Sequence, residues 1–328
     1  MALSKFLDVK NDVAFKRIFG TEKNKDILIH FLNDILINGT LAPLKLSPIQ
    51  EVEFLTTIQD PDIAAKKQSI VDVLCRDITG MQFIIEMQVA KTKGFEKRAQ
   101  YYAAKAYSNQ ANKGDQYYNL KEIIFIAIAD YIVFSDKAEY LSYHSILDIN
   151  TYEHNLKDFF FVFIELPKFL KSREDQLENI VEKWIYFFKY ATETTESDLE
   201  RIIGSDEIIK RAYKELDRFN WSDIELRTYE QETKRLLDEQ AILLQKLDDA
   251  KNEGRQEGIQ IGEERGREEG REEGREEGRE EGREEGREEG EMKAKIAVAK
   301  KSLKAGMSID VIAEITGLCI DEIKKLQK

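Results

Sequence analysis

One stretch of this sequence, residues 69–89 (SIVDVLCRDITGMQFIIEMQV), joins two apolar runs through a turn and places a carboxylate inside each run. A β-hairpin that closes through the three-residue loop Ile78–Gly80 sets Asp72 opposite Glu86 and Val73 opposite Ile85. In this register one face of the hairpin is wholly apolar, and a shift by one residue destroys that agreement. The hairpin therefore favours a fold in which two acids face each other across neighbouring strands.

Two carboxylates opposed in apolar surroundings repel each other unless a cation lies between them or one of them holds a proton. The available donor atoms are oxygens, which suit Mg²⁺ or Mn²⁺. Gln88 lies two residues after Glu86 on the same face, so its amide could reach a water held by such an ion. The alternative from spacing alone is a solvated sheet face on which Asp72, Glu86 and Gln88 meet water.

The rest of the first half alternates helical and strand patterns. The first 40 residues and residues 95–114 have helical periodicity, and residues 50–56 are strand-like. Residues 122–130 and 159–166 are near-continuous apolar runs, as expected for strands covered on both faces. This order predicts an α/β or α+β domain over residues 1–170.

The second half is helical in pattern and contains one low-complexity segment. Residues 171–250 form a predicted helical extension whose apolar positions partly follow 3-4 spacing, so self-association through helices 173–250 is one expectation. Residues 251–291 carry 17 Glu against 9 Lys or Arg, and the unit GREE repeats from residue 266. A glycine every four residues weakens a helix by about 1 kcal/mol each, which favours a solvated spacer over a marginal helix.

The remaining residues, 292–328, resume apolar periodicity with the cadence of helix, glycine-containing turn and helix. This pattern fits a packing or pairing module, which could also mediate self-association, and it is shared by DNA-reading helix-turn-helix units. Of the formal charge of −13, the repeat segment contributes −8, so the folded part is close to neutral. The overall acidity therefore does not exclude a nucleic-acid partner.

Several function classes are disfavoured by composition. No run approaches the roughly 20 apolar residues of a membrane helix and no secretory signal is present, so we expect a soluble, cytoplasmic protein without a membrane partner. Cys75 and Cys319 lie far apart and are expected as free thiols. The histidines His30, His144 and His154 form no zinc motif, so zinc chemistry and Ser/His/Asp catalysis are poor candidates.

The chemistry-bearing residues resemble a known nuclease core. Asp72, thirteen intervening residues and then Glu86-Met87-Gln88 are similar to the PD-(D/E)XK motif in the variant where glutamine replaces lysine, with Val71 at the proline position. The flanks NDVAFKRIFG, KRAQYYAAKAYSNQ, LKEIIFIAI and AGMSIDVIAEITGLCIDEIKKL, in this order, resemble the Rpn family of recombination-promoting, transposase-like nucleases.

The resemblance implies an α/β fold: a PD-(D/E)XK restriction-endonuclease-like core, with a mixed sheet flanked by helices, and an all-helical C-terminal extension. It implies a Mg²⁺-dependent DNA endonuclease, Mn²⁺ being an alternative ion, that promotes recombination or acts on mobile or foreign DNA. Asp72 and Glu86 would be the metal ligands, Gln88 would occupy the lysine position, and Asp12 would complete the catalytic set. For Asp12, an acid placed at a helix start by the helix dipole is an equal alternative.

Contacts to DNA phosphates are expected from the predicted helix after the hairpin. Lys97, Arg98 and Lys105 are the candidates, and ordinary solvated helix charges are the alternative for each. Because a neutral amide at Gln88 cannot supply positive charge, a catalytically weak protein that binds DNA or assembles through its helical C-terminal region is the alternative function. Tyr101 and Tyr102 are expected to pack rather than to stack on bases.

Overall fold

A computed structural model of the protein describes residues 4–38, 46–59, 69–111, 116–173, 176–204 and 206–327. Its strands, in chain order, are β1 (Val52–Phe54), β2 (Ile58–Gln59), β3 (Ser69–Ile70), β4 (Val73–Asp77), β5 (Gln82–Gln88), β6 (Ile123–Ala129), β7 (Leu141–Ile146) and β8 (Leu156–Glu165). Six of them form a mixed sheet of order β1-β4-β5-β6-β8-β7, in which β5, β6 and β8 run parallel. Strands β2 and β3 pair separately. The predicted mixed sheet is confirmed.

The helices, in chain order, are α1 (Asp12–Phe19), α2 (Lys25–Leu36), α3 (Phe95–Ser108), α4 (Ile180–Tyr190), α5 (Glu196–Ile203), α6 (Glu207–Leu216), α7 (Asp223–Lys304), α8 (Ile309–Thr316) and α9 (Ile320–Lys325). One face of the sheet packs against α1, α2, α4 and α6, with Phe31 and Trp184 fully buried among them. The other face packs against the alanine-rich side of α3. The core is therefore a sheet between two helical layers.

The hairpin of β4 and β5 has the predicted register. Val73 pairs with Ile85 and Cys75 with Phe83, and the amide of Asp77 donates to the carbonyl of Met81 at 3.0 Å. Gly80 has a φ of 91°, a conformation that glycine adopts without steric cost. The three-residue loop Ile78–Gly80 is therefore confirmed.

The central strands also match their sequence pattern, whereas one edge strand was not predicted. Every residue of β6 is buried, as its continuous apolar run indicates. Strand β7, with sequence LSYHSI, is only half-buried and pairs with β8 along one side. Because its polar and apolar residues do not alternate cleanly, tertiary pairing rather than local pattern makes it a strand. The helix predicted over residues 95–114 ends at Ser108, and residues 112–115 lie outside the described ones.

The chain divides into two compact units, Met1–Ile242 and Leu243–Lys328. In the first unit, α4 and α6 share the core of the sheet, so packing continues past residue 170. In the second, Ala299 of α7 packs with Ile312, Leu318 and Ile323 of the tail. The four-part division of the sequence stays a prediction.

The repeat segment, residues 251–291, is helical and exposed to solvent throughout. Its role as a spacer stays a prediction. A Cβ added at any glycine from Gly254 to Gly290 would meet no atom within 4 Å among the described residues. No packing therefore offsets the glycine penalty there, although pairs such as Arg287 with Glu291 at 3.7 Å support the helix weakly.

Candidate active site

Asp72 and Glu86 lie side by side at the end of the β4–β5 hairpin away from its turn. Asp72 immediately precedes β4, and its Oδ2 accepts a 2.8 Å hydrogen bond from the backbone amide of Met87. Its side chain is 18% exposed, and Glu86 is 5% exposed. The two carboxyl groups are close enough for a hydrogen bond between them. The register that was inferred from the sequence therefore brings both acids to one place.

The environment of this pair disfavours two negative charges. Burial raises the pKa of Asp72 to about 6, against the opposing effect of the Met87 amide. Burial, followed by the charge of Asp72, raises the pKa of Glu86 well above its ordinary value. Near neutral pH the pair therefore holds a proton or needs a cation close by.

Among the described residues, Lys16 of α1 is the cation that lies within 4 Å of the Asp72 carboxylate. Its Nζ lies 2.8 Å from Oδ1 of Asp12 and 3.9 Å from Oδ1 of Asp72. Burial acts to lower the pKa of Lys16, but the hydrogen bond and charge of Asp12 raise it above the ordinary value. Asp12, a predicted site residue, thus contacts Lys16, which was not predicted, and its charge also acts to raise the pKa of Asp72.

Gln88 has both ends of its amide engaged. Its Nε2 donates to the carbonyl of Ala90 at 2.8 Å, and its Oε1 accepts a hydrogen bond from Nη2 of Arg98 on α3. The Arg98 guanidinium lies 4.9 Å from the ring centroid of Phe95 and 5.9 Å from that of Tyr102. Its Nε is buried without a hydrogen-bond partner among the described residues. In this arrangement Gln88 positions an arginine rather than offering a free amide.

These groups line a cavity of about 290 Å³. The lining includes Asp12, Asp72, Glu86, Gln88 and Arg98, together with Glu232, Arg235 and Glu239 of α7. The α7 residues were not expected at the site, because nothing in their local sequence separates them from other solvated helix charges.

Asn11 holds the first turns of α7 beside this cavity. Its Nδ2 donates to the carbonyl of Tyr229 at 3.2 Å and to Oγ1 of Thr233 at 3.0 Å. Its Oδ1 accepts from the amide of Val13 and so caps α1. In addition, the hydroxyl of Tyr229 accepts from the amide of Asp8 at 3.0 Å. One buried asparagine therefore ties α7 to the helix that carries Asp12 and Lys16.

A comparison with protein families agrees with this geometry. The family described as PD-(D/E)XK nuclease family transposase matches residues 9–246. The chain belongs to this family. Membership carries a nuclease-like function with DNA as the substrate. Comparisons with curated proteins and with solved structures gave no match.

The structure brings together four of the predicted site residues in one cavity: Asp72, Glu86 and Gln88 of the PD-(D/E)XK motif, and Asp12 of α1. Of the three predicted phosphate contacts, Arg98 lines the cavity, whereas Lys97 is exposed on α3 and, like Lys105, is absent from the described lining. Tyr102 packs beside Arg98, and Tyr101 is 47% exposed. The roles of these residues remain predictions.

The donor set of this PD-(D/E)XK site fits a hard divalent ion. No three His, Cys, Asp or Glu side chains among the described residues are grouped closely enough to hold a metal by themselves. Mg²⁺, however, is commonly bound by one or two carboxylates, with water and substrate phosphates completing its shell. Asp72 and Glu86 supply two such carboxylates in a cavity open to a substrate.

No helix in the described part of the chain is long and apolar enough to cross a membrane.

Proposed function

We propose that this protein is a Mg²⁺-dependent DNA endonuclease, with Mn²⁺ as an alternative ion, that hydrolyses phosphodiester bonds and promotes recombination or acts on mobile or foreign DNA. One observation carries the proposal: two opposed carboxylates, the partly buried Asp72 and the buried Glu86, line one cavity, and the ammonium of Lys16 lies 3.9 Å from Asp72. Because the pKa values of both acids are raised, the pair holds a proton unless a further cation balances its charge, as a bound metal ion would.

Asp72 and Glu86 would hold the ion through their carboxylate oxygens. When bound, the ion would lower the pKa of a water and offset negative charge on the phosphoryl oxygens. The amide of Met87 keeps the Asp72 carboxylate in one orientation, because it donates to Oδ2 and leaves Oδ1 available. The carboxylate of Glu86 belongs to β5, in the central part of the sheet, where pairing with β6 limits the movement of the strand.

In the usual PD-(D/E)XK motif, a lysine stands two residues after the second acid. Lys16 would take the role of that lysine. It already lies within 4 Å of Oδ1 of Asp72 and carries its charge on α1 instead of β5. Asp12, one helical turn earlier, orients this ammonium through its 2.8 Å contact. A cation fixed beside the scissile phosphate would stabilise the charge that develops on the phosphoryl oxygens.

Gln88 would act on the substrate through Arg98. Its carbonyl oxygen holds the guanidinium, and its amide nitrogen is tied to the backbone of Ala90. The remaining donors of Arg98 would face a phosphate in the cavity, which an arginine can contact through two parallel hydrogen bonds. The neutral residue at the lysine position is then compatible with catalysis.

Nicking of supercoiled plasmid tests the proposal. The unaltered protein should nick with Mg²⁺ or Mn²⁺ and not with EDTA, and Asp72→Ala and Glu86→Ala should each reduce the rate by at least a hundredfold. Ca²⁺ should support DNA binding without cleavage, because hard oxygen ligands also accept it. Glu207→Gln, an exposed acid on α6, which packs against the face of the sheet opposite to α3, is the matched control and should nick normally.

Absence of nicking with either metal would contradict the enzymatic proposal. Binding of DNA in Ca²⁺ without nicking in Mg²⁺ would instead support the alternative, a DNA-binding protein of weak catalytic power. The observation that favours this alternative is that both ends of the Gln88 amide already hold hydrogen bonds within the protein, to Ala90 and to Arg98.

A further inference from the structure

A second cavity, of about 470 Å³, lies in the first compact unit beside the C-terminal end of α3. Its floor is apolar, since Leu74 of β4 and Ala106 of α3 are buried there. Its polar lining includes Arg76, Gln82, Gln110 and Lys121. No residue of this cavity takes part in the candidate active site.

The two cavities lie along one face of the same hairpin. Side chains two residues apart point to the same side of a strand, so Gln82 and Glu86 share a face of β5. At about 3.3 Å per residue, they are about 13 Å apart. On α3, Tyr102 lines the acidic cavity and Ala106, one turn later, lines the second. Between them, Ile84 of the same face is fully buried under α3, so a ligand that contacts both cavities passes outside the contact between β5 and α3.

The charges of the second cavity are cationic. None of its described lining residues is acidic, in contrast to the five carboxylates that line the candidate active site. Arg76 pairs with Glu53 at 2.9 Å, but both side chains are about half exposed, and such surface pairs contribute about 1 kcal/mol or less. An anion could therefore recruit the guanidinium at low cost.

Lys121 is held in place by its surroundings. Its backbone amide donates to Oε1 of Gln110 at 2.8 Å, and its carbonyl accepts from Nε2 of Gln110 at 3.0 Å. Its aliphatic chain lies over Gly80, where a Cβ would come within 3.1 Å of Cγ. The described residues provide no acidic partner for its ammonium group. The turn of the hairpin and the end of α3 thus fix a cation at this cavity.

We propose that the Arg76–Lys121 cavity binds a backbone phosphate of the same DNA strand whose scissile phosphate lies at Asp72 and Glu86. This inference rests on the proposed nuclease function and adds a second contact point for its substrate. A strand of duplex DNA advances about 3.4 Å per phosphate along the helix axis, and the straight-line distance between its phosphates is larger, so a separation of about 13 Å corresponds to at most about four nucleotides. The cavity recognises phosphate and not sequence, since all its charged groups are simple cations.

Oligonucleotide binding in Ca²⁺, measured by fluorescence anisotropy, tests the inference. The double variant Arg76→Gln/Lys121→Gln should bind a labelled 12-nucleotide strand or duplex roughly tenfold more weakly at low salt, with a smaller salt dependence by about one to two phosphate contacts. A dinucleotide, which cannot span both cavities, should bind both proteins within twofold. The matched control is Lys210→Gln/Lys214→Gln on α6, which packs against the opposite face of the sheet and should bind like the unaltered protein.

The outcomes separate this inference from the function on which it rests. No oligonucleotide binding by the unaltered protein would overturn both. If the unaltered protein binds and the double variant binds the 12-mer equally well, only the phosphate cavity is overturned, as it also is if the α6 control loses affinity to the same extent. Melting curves of the variants that coincide with that of the unaltered protein show that lost binding is not lost folding.

Discussion

Nζ of Lys16 lies 3.9 Å from Oδ1 of Asp72, although α1 packs on the face of the sheet opposite to α3. Removing this charge by Lys16→Met should lower the rate of plasmid nicking in Mg²⁺ by about 10²–10³-fold, as expected for a lost donor to developing charge. Lys16→Arg should recover part of the rate, and Lys214→Gln should change it less than twofold. Nicking by Lys16→Met at the normal rate would contradict the role assigned to this residue.

Glu86→Gln should stabilise the metal-free protein at pH 8. Because the folded-state pKa values of Asp72 and Glu86 are raised, the folded protein binds more protons than the unfolded protein. The free energy of unfolding therefore falls as pH rises. For Asp72 this loss runs from about pH 4, its unfolded value, to about pH 6.

Removal of one charge from the pair should therefore raise the free energy of unfolding at pH 8 by about 1–3 kcal/mol, with little change at pH 4. Urea unfolding at the two pH values measures the difference, and Glu53→Gln serves as the exposed control. Mg²⁺ should raise the melting temperature of the unaltered protein and not that of Glu86→Gln. A variant that is less stable at pH 8 would show that the acids do not repel each other.

Gln88→Lys, which restores the lysine of the motif, should not increase nicking. The new ammonium would face the guanidinium of Arg98, which now donates to Oε1 of Gln88, and like charges at this distance repel. We expect a loss of about 1–2 kcal/mol in the free energy of unfolding, measured by urea titration. The double variant Gln88→Lys/Arg98→Met should recover this stability, and failure to do so would place the cost elsewhere.

Deletion of residues 270–277, which are two repeat units, should leave nicking within twofold. The described lining of the candidate active site ends at Glu239, and outside the helix's own backbone no described atom lies within 4 Å of a Cβ built on any glycine of the repeat. Plasmid nicking and the helical signal in circular dichroism provide the measurements. A loss of more than tenfold in rate would show that the second unit contributes to catalysis in a way that depends on the length of α7.

Local patterns were sufficient for the hairpin and the central strands. Alternation of side chains, the turn around Gly80 and the continuous apolar runs of β6 and β8 depend on residues close in sequence, so they predict register and burial without further information. The opposition of Asp72 and Glu86 follows from the same register. By contrast, β7 was not predicted, and the repeat was expected to be at most a marginal helix, because edge pairing and the persistence of a long helix are not encoded by a short pattern.

What the sequence by itself determined is the two-acid hairpin and the mixed α/β core around it. Only the tertiary structure decided which cations accompany the acids. Lys16 lies 56 residues before Asp72 in the sequence, and Arg235 comes from a helix held in place by the buried Asn11. Contacts of this kind form because apolar faces of distant helices pack on one sheet, and packing depends on the whole set of buried surfaces rather than on the spacing of any one motif.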